Sequence, residues 1–367
     1  MGSYQEMDDQ SVGDNHPFLI AYNMAMSMMV PAVLKAALEL KIFDIMDKEA
    51  GNKKMMSPSQ IASHLPVSPY PNLTLKLDRM LRLLASHSLL TCSLQTDEKG
   101  NSERIYGLSP AGKLFVLSDD GHNFATFNKM VNYPVVVNTW LNYKEAILDE
   151  GSDLFKKIHG TYSFYHYLET SDAELRRDFH ISMTDLSVMQ MEKVLEAYHG
   201  FEGISTLIDV GGSNGMCLNM IVSKYPSIKA INFDLPQVVQ HAPSYPGIEH
   251  VGGDMLESVP KGADAIMLKY VCHNWEDSKC LQFLKNCYEA LPEKGKVIVI
   301  DLITPEVPNS STGSDHVSRL DNFMFFTPGG RERTLKDFQF LCKSSAFSSF
   351  HLASTFYSVY GVMEFHK

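Results

Sequence analysis

Apolar residues along this 367-residue chain follow two rhythms, and the change between them divides the sequence. In the first third they recur at three- and four-residue spacing, the period of one helix face. Residues 17–40, which include YNMAMSMMVPAVLKAALEL, predict one methionine-rich helix. Methionine fills irregular gaps, so such a helix serves a core or an interface. MSPSQIASHL predicts a short helix capped by Ser57, with Pro58 in its first turn. NLTLKLDRMLRLLASHSLL predicts a second strong helix, and LLTCSLQTDEKGNSERIYGLS two strands joined by a Lys-Gly-Asn turn. Helix, helix and hairpin in this order outline a winged helix.

Residues 118–200 read as helical again, with aromatics spread through FNKMVNYPVVVNTWLNYKEAI and YSFYHYLET. From Ile204 the rhythm changes. Short apolar or β-branched runs (STLIDV, IKAINFD, IEHVGGD, AIMLKYV, KVIVID) alternate with helical segments such as CLNMIVSKY and SKCLQFLKNCYEAL. Strands alternating with helices predict parallel βαβ units in a doubly wound α/β sheet. The final STFYSVYGVMEFHK alternates like a strand closing the sheet edge.

Composition removes several function classes. A net charge of −11 argues against nucleic acid or anionic membrane as the main partner, because phosphate binding needs clustered Lys and Arg. The longest apolar stretch, AMSMMVPAVLKAAL, holds Pro31 and Lys35 and is too short to span a bilayer. The start, MGSYQEMDDQ, lacks the pattern of a secretory signal, and Glu6 stands where a myristoylation signal has Ser or Thr. The six cysteines form no CxxC pair. These features predict a reduced cytoplasmic protein.

The chemistry concentrates after the predicted strands. LIDVGGSNGMCL is a glycine turn between a strand and a helix, where the backbone can approach a ligand closely. Asp234 ends the second strand, where a carboxylate can accept both ribose hydroxyls. Asp254 follows the third and can take an adenine amino hydrogen while Met255 packs the ring. No residues provide for a pyrophosphate, so S-adenosylmethionine fits this nucleoside site better than NAD. In VCHNWED, His273 stands at the mouth of an apolar strand, as a packed core ring or as a base.

DVGGSNG, INFDLP, IEHVGGDM, LKYVCHNWED, LKNCYEALPEKGKVIVID and PGGRERT together resemble the plant small-molecule O-methyltransferases of the caffeic acid and isoflavone type. The similarity runs from about residue 18 to the end. It implies a Rossmann-like S-adenosylmethionine-dependent methyltransferase domain over residues 118–367. A winged-helix dimerisation domain over 18–117 would precede it, after a disordered tail at 1–17. It implies a cytoplasmic homodimer that needs no metal, and the sequence itself offers no divalent-metal constellation. By resemblance, Gly211, Asp234, Asp254, Met255 and Lys269 line the S-adenosylmethionine site. His273 is the general base, with Asp301 and Glu332 as acceptors for its other ring nitrogen. Met130, Val131, Phe179, Met183, Phe323 and Thr327 line the acceptor pocket for a small aromatic substrate, a phenol of plant specialised metabolism. Caffeic acid enzymes carry more polar residues where Val131, Leu186 and Thr327 stand, which favours a flatter, more apolar acceptor.

Two other readings stay open. An N-methyltransferase of an arylamine such as anthranilate uses the same scaffold, although a neutral amine needs no base. A ligand-sensing winged-helix regulator would need a basic second helix, whereas LDRMLRLLASHSLL is mostly apolar.

Overall fold

The computed structural model describes residues 16–49, 55–117, 121–148, 150, 153–160, 163–324 and 329–367, so most of the expected tail at 1–17 lies outside the described residues. Two compact units are present, Met1–Asn132 and Tyr133–Lys367. The division groups the helix Ala125–Val131 with the first unit.

In the first unit the single helix expected over 17–40 is two, Pro17–Ala25 and Met29–Glu39. Pro31 is the reason one rod cannot form. Inside a continuous helix its ring would clash with the carbonyl four residues back, but in the first turn of a new helix its missing N–H costs nothing. The first of the two helices buries no side chain. Ser57 caps Pro58–Ala62 reciprocally with Gln60, a capping box. The helix Leu73–Ser86 turns Leu73, Leu77, Leu81 and Leu84 inward, one stripe at helical spacing. Strands β1 (Leu90–Thr96) and β2 (Ser102–Leu108) form the hairpin, whose turn is closed by the Asp97 carboxylate accepting the N–H groups of Lys99 and Asn101. Tyr106 of β2 is wholly buried and donates its hydroxyl to Asp78 at 2.7 Å.

The second unit is built on a sheet with the order β5-β4-β3-β6-β7-β10-β9. Its strands are β3 (Thr206–Val210), β4 (Lys229–Asp234), β5 (Ile248–Gly252), β6 (Ala265–Lys269), β7 (Lys296–Thr304), β9 (Ser349–Phe356) and β10 (Tyr360–His366). A two-residue strand β8 (Arg333–Thr334) pairs beside β7. The first five run parallel, and β10 is antiparallel to both β7 and β9. Buried runs such as Ile208, Val210, Ile266, Leu268, Val297 and Val299 point to one face of the sheet and pack on the helix Asp277–Ala290. Their alternates, Leu207, Ala265, Met267, Ile298 and Ile300, pack on the other face. Both faces are covered, as parallel sheets require.

The C-terminal expectation needs correction. STFYSVYGVMEFHK is the end of β9, a turn, and β10, and the last strand lies inside the sheet between β7 and β9. Strand β9 forms the edge, and its Ser, His and Thr positions hid it from the hydrophobic pattern. Among the described residues no single helix is long and apolar enough to cross a membrane.

One buried polar group ties β10 to the rest of the sheet. The Glu364 carboxylate accepts from Tyr198 Oη at 2.6 Å and pairs with Lys296 on β7. Burial pushes this carboxyl up, but the hydrogen bonds from Lys296 and Tyr198 and the Lys296 charge outweigh it and hold it down at about 2. A depressed carboxyl stabilises the fold above its unfolded pKa, and the benefit disappears as pH falls through the folded value. The second unit should therefore lose stability between pH 4.5 and about 2. Glu364→Gln should flatten that dependence in thermal melts followed by circular dichroism, and an unchanged slope would refute the assignment.

Candidate active site

Strands β3 and β6 are neighbours, but the chain leaves β3 toward β4 and β5 on one side and leaves β6 toward β7 on the other. Such a switch opens a crevice at the carboxyl ends of the strands. The glycine turn follows β3 there, with Gly211 at φ +77°. A Cβ on Gly212 would lie 2.1 Å from Asn232 Oδ1 and 2.7 Å from Asp209 Oδ2, so only glycine fits. Asp234, at the end of β4, accepts the Ser213 N–H at 2.8 Å and the Leu235 N–H at 2.7 Å. Burial raises its carboxyl, and these two N–H groups oppose the shift. Asp254, half-buried after β5, accepts the Leu256 N–H at 2.8 Å, and Met255 packs against the core beside it.

Behind this turn lies a contact that the sequence reading missed. Asn232, wholly buried on β4, donates from Nδ2 to Ser213 O at 2.8 Å and to His250 Nδ1 at 3.0 Å. His250 Nε2–H donates in turn to Pro243 O at 3.0 Å. Asn232 is two residues from Asp234, so strand alternation puts both on one face, a signal present in INFDLP.

Lys269 ends β6. It does not stand free in the crevice, because its Nζ donates to Gln190 Oε1 at 3.0 Å and Ser187 Oγ at 3.2 Å on the long helix Ala173–Ala197. Burial lowers its ammonium, and Cys217, Asp209 and Asp301 work against the shift. Burial likewise raises Asp209 to about 7 despite Lys269.

After β6 the chain enters a 3₁₀ turn, Cys272–Asn274, through Tyr270 at φ +54°. This turn carries His273. Its Nδ1 lies 2.9 Å from Glu332 Oε1. Asp301 on β7 is the third member of the cluster, and donor atoms of the three residues all lie within 4.8 Å of one another. The two carboxylates are not equivalent, however. Asp301 Oδ1 takes the Leu302 N–H, its Oδ2 has no partner, and only Glu332 is hydrogen-bonded to the ring. Burial raises Glu332 to about 8 and Asp301 to about 7. Burial lowers His273, with Asp301 opposing the shift and Lys269 and Arg333 adding to it. The ring is thus held neutral. The sequence shows no metal constellation, yet the fold brings one imidazole and two carboxyl groups together in His273, Asp301 and Glu332.

The acceptor candidates divide. Phe179 and Met183 stand one turn apart on Ala173–Ala197, with Phe179 packed against Phe164 and Tyr165 at 6.0 Å between ring centroids. Phe323 packs against Trp140 at 5.6 Å. Met130 and Val131 close the helix Ala125–Val131 of the first unit, and Thr327 lies outside the described residues.

Residues 140–348 match the family profile of an O-methyltransferase domain, and residues 22–118 that of an O-methyltransferase dimerisation domain. A caffeic acid 3-O-methyltransferase of Prunus dulcis is 47% identical over 100% of both chains. One from Medicago sativa is 45% identical over 97% of this chain and 96% of its own. This chain belongs to the plant O-methyltransferases of the caffeic acid type. Human N-acetylserotonin methyltransferase, solved with S-adenosylmethionine, shares the fold at a TM-score of 0.77 and 21% identity, over 97% of this chain and 99% of its own. A methyltransferase of calicheamicin biosynthesis in its S-adenosylhomocysteine-bound form also has a TM-score of 0.77, at 23% identity, over 95% and 97%.

As a member of its family, this plant O-methyltransferase uses S-adenosylmethionine to methylate phenols. The crevice suits that cofactor. Carboxylates end β4 and lie just beyond β5, at positions suited to a ribose and an adenine. Gly212→Ala, which forces a Cβ into Asn232 and Asp209, should weaken S-adenosylmethionine by tenfold or more in calorimetry, the scale of one lost charged hydrogen bond. Unchanged affinity would mean that the turn does not form the cofactor floor.

Proposed function

We propose that this enzyme methylates a hydroxyl of a flat, largely apolar phenol and that His273 is the base that takes the phenolic proton. The observation that supports this most is the His273–Glu332 contact in a site that keeps the imidazole neutral. With Nδ1–H donated to Glu332, the other ring nitrogen, Nε2, is left as the proton acceptor. A phenol has a pKa of about 10, so roughly one molecule in 10³ is ionised at neutral pH, and a base at the hydroxyl removes that limit. Such assistance is worth about 10²–10⁴-fold. S-adenosylmethionine supplies, when bound, an electrophilic methyl group on a sulfonium. Once charged, the imidazolium keeps its contact with Glu332 and lies beside Asp301, whose charge favours the protonated ring.

In this reading Asp234 and Asp254 hold the ribose and the adenine, with Gly211 and Met255 against the nucleoside. Lys269 acts from behind, through Ser187 and Gln190. Phe179, Met183 and Phe323 supply apolar walls for the acceptor. The apolar character at Val131 and Leu186 supports an acceptor less polar than caffeic acid. Residues 18–117 serve dimerisation and 118–367 catalysis, after a tail at 1–17, in a cytoplasmic homodimer. The exposed Phe18, Met24, Met28 and Met29 support a second copy as the cover for the first two helices, since large apolar patches mark interfaces.

The test is a pH–rate profile on the best phenol from a methyl-transfer screen. Wild-type activity should rise as pH climbs through the lowered pKa of His273 and then level off. His273→Gln should keep its cofactor affinity and lose about 10²-fold or more in turnover, with the rate still climbing toward pH 10 as the phenol ionises unaided. Dialysis against EDTA should leave wild-type turnover unchanged. A variant as fast as wild type at neutral pH would remove His273 from the chemistry, and activity restored only by added metal would convert the cluster into a metal centre.

A further inference from the structure

Three consecutive residues of the second unit read the whole turn that carries His273. The Arg331 N–H donates to His273 O at 2.9 Å, Glu332 is hydrogen-bonded to the ring, and the Arg333 guanidinium reaches both ends of the turn. Arg333 Nη1 donates to Cys272 O and Nη2 to Trp275 O at 2.7 Å, so its fork brackets His273 and Asn274. Asp277 locks the fork from the far side, accepting from Nη2 at 2.7 Å and Nε at 3.1 Å, and takes Arg331 as well. The backbone of Arg333 is pinned by pairing with Ile303 of β7. Its side chain is completely buried, although arginine is among the residues least often found there.

We propose that Arg333, held by Asp277, is a positioning residue for the base: it fixes the turn so that His273 meets both Glu332 and the acceptor hydroxyl. This rests on the reading of His273 as general base. The geometry asks for a fork and not merely a charge. Two carbonyls three residues apart, with a carboxylate beyond them, need a planar group with donors in fixed directions, and a lysine ammonium cannot span them. The guanidinium also places a fixed positive charge beside the cluster, and that charge opposes protonation of the ring in the resting enzyme.

The experiment compares Arg333→Lys, Asp277→Asn and His273→Gln with wild type by kcat, by KM for each substrate and by pH–rate profile. Arg333→Lys keeps the cation and loses the fork. Its kcat should fall about 10²-fold, the size of an ångström of misplacement, with both KM values within about twofold of wild type. Its rate should keep rising above neutral pH, the signature of a base out of reach. Asp277→Asn, at a partly exposed carboxylate, should change kcat and the profile in the same direction by about tenfold, and it decides the matter if Arg333→Lys does not fold. Wild-type turnover in the folded variants would overturn the proposal. So would a fall in kcat with both KM values raised and the wild-type plateau kept, since that is general loosening. If His273→Gln shows the alkaline rise and the other two do not, the clamp fails and the base stands; if His273→Gln lacks it as well, the base reading itself has failed.

Discussion

The arrangement of the second unit depends on a single topological constraint: β3 and β6 lie side by side while their connections leave in opposite directions. No helix can cover the carboxyl ends of both strands at that point, so the backbone there is open. Most of the groups with a proposed role in the site are placed by this gap, while Glu332 arrives from the segment next to β8. The glycine turn leaves β3, Lys269 ends β6, and His273 follows within the next turn of chain. Neighbouring strands extend the gap on either side, with Asp234 and Asp254 toward one edge and Asp301 toward the other.

The second organising effect is desolvation. Asp209, Lys269, Asp301, Glu332 and His273 all sit where water is scarce, and each is displaced toward its neutral form. Removing an ion from water costs several kcal/mol, so groups so close together cannot all carry charge at once. They share a small number of protons instead. For acid–base chemistry that is useful, since an imidazole that takes a proton keeps its contact with Glu332 and lies beside Asp301. Arg333 is the exception in this cluster: it stays charged, with its buried guanidinium donating to two carbonyls and to the Asp277 carboxylate.

Much of this was legible in the sequence where a residue type and a periodicity coincide. STLIDV, IKAINFD and AIMLKYV announce buried parallel strands because both of their faces are apolar, and the glycine turn and terminal carboxylates mark the open end. What stayed hidden was relational. Strand β9 carries Ser, His and Thr and buries none of its residues fully, so its hydrophobic signal is weak. Asn232 and His250 lie eighteen residues apart and meet only through the pairing of β4 with β5. Arg333 reads as a surface charge in PGGRERT until the return of the chain brings it under the His273 turn. Spacing alone also could not decide which carboxylate grips His273, since Asp301 and Glu332 reach it from different directions.

The helix Ala173–Ala197 has a consequence for how such enzymes diversify. Phe179 and Met183 occupy its earlier turns, and Ser187 and Gln190, farther along, hold Lys269 at the end of β6. About 16 Å of one rigid rod separates Phe179 from Gln190. On the proposed assignment, acceptor preference and the cofactor side of the site are inscribed on the same rod. A lineage that gains a new acceptor by exchanging side chains at 179, 183 or 186 leaves the lysine undisturbed. A lineage that gains one by tilting the rod shifts Ser187 and Gln190 as well, and its methyl-donor site must be repaired in the same step. Drift through single substitutions is therefore channelled into trimming and filling the pocket, so that descendants differ in which ring they accept while the donor chemistry stays fixed.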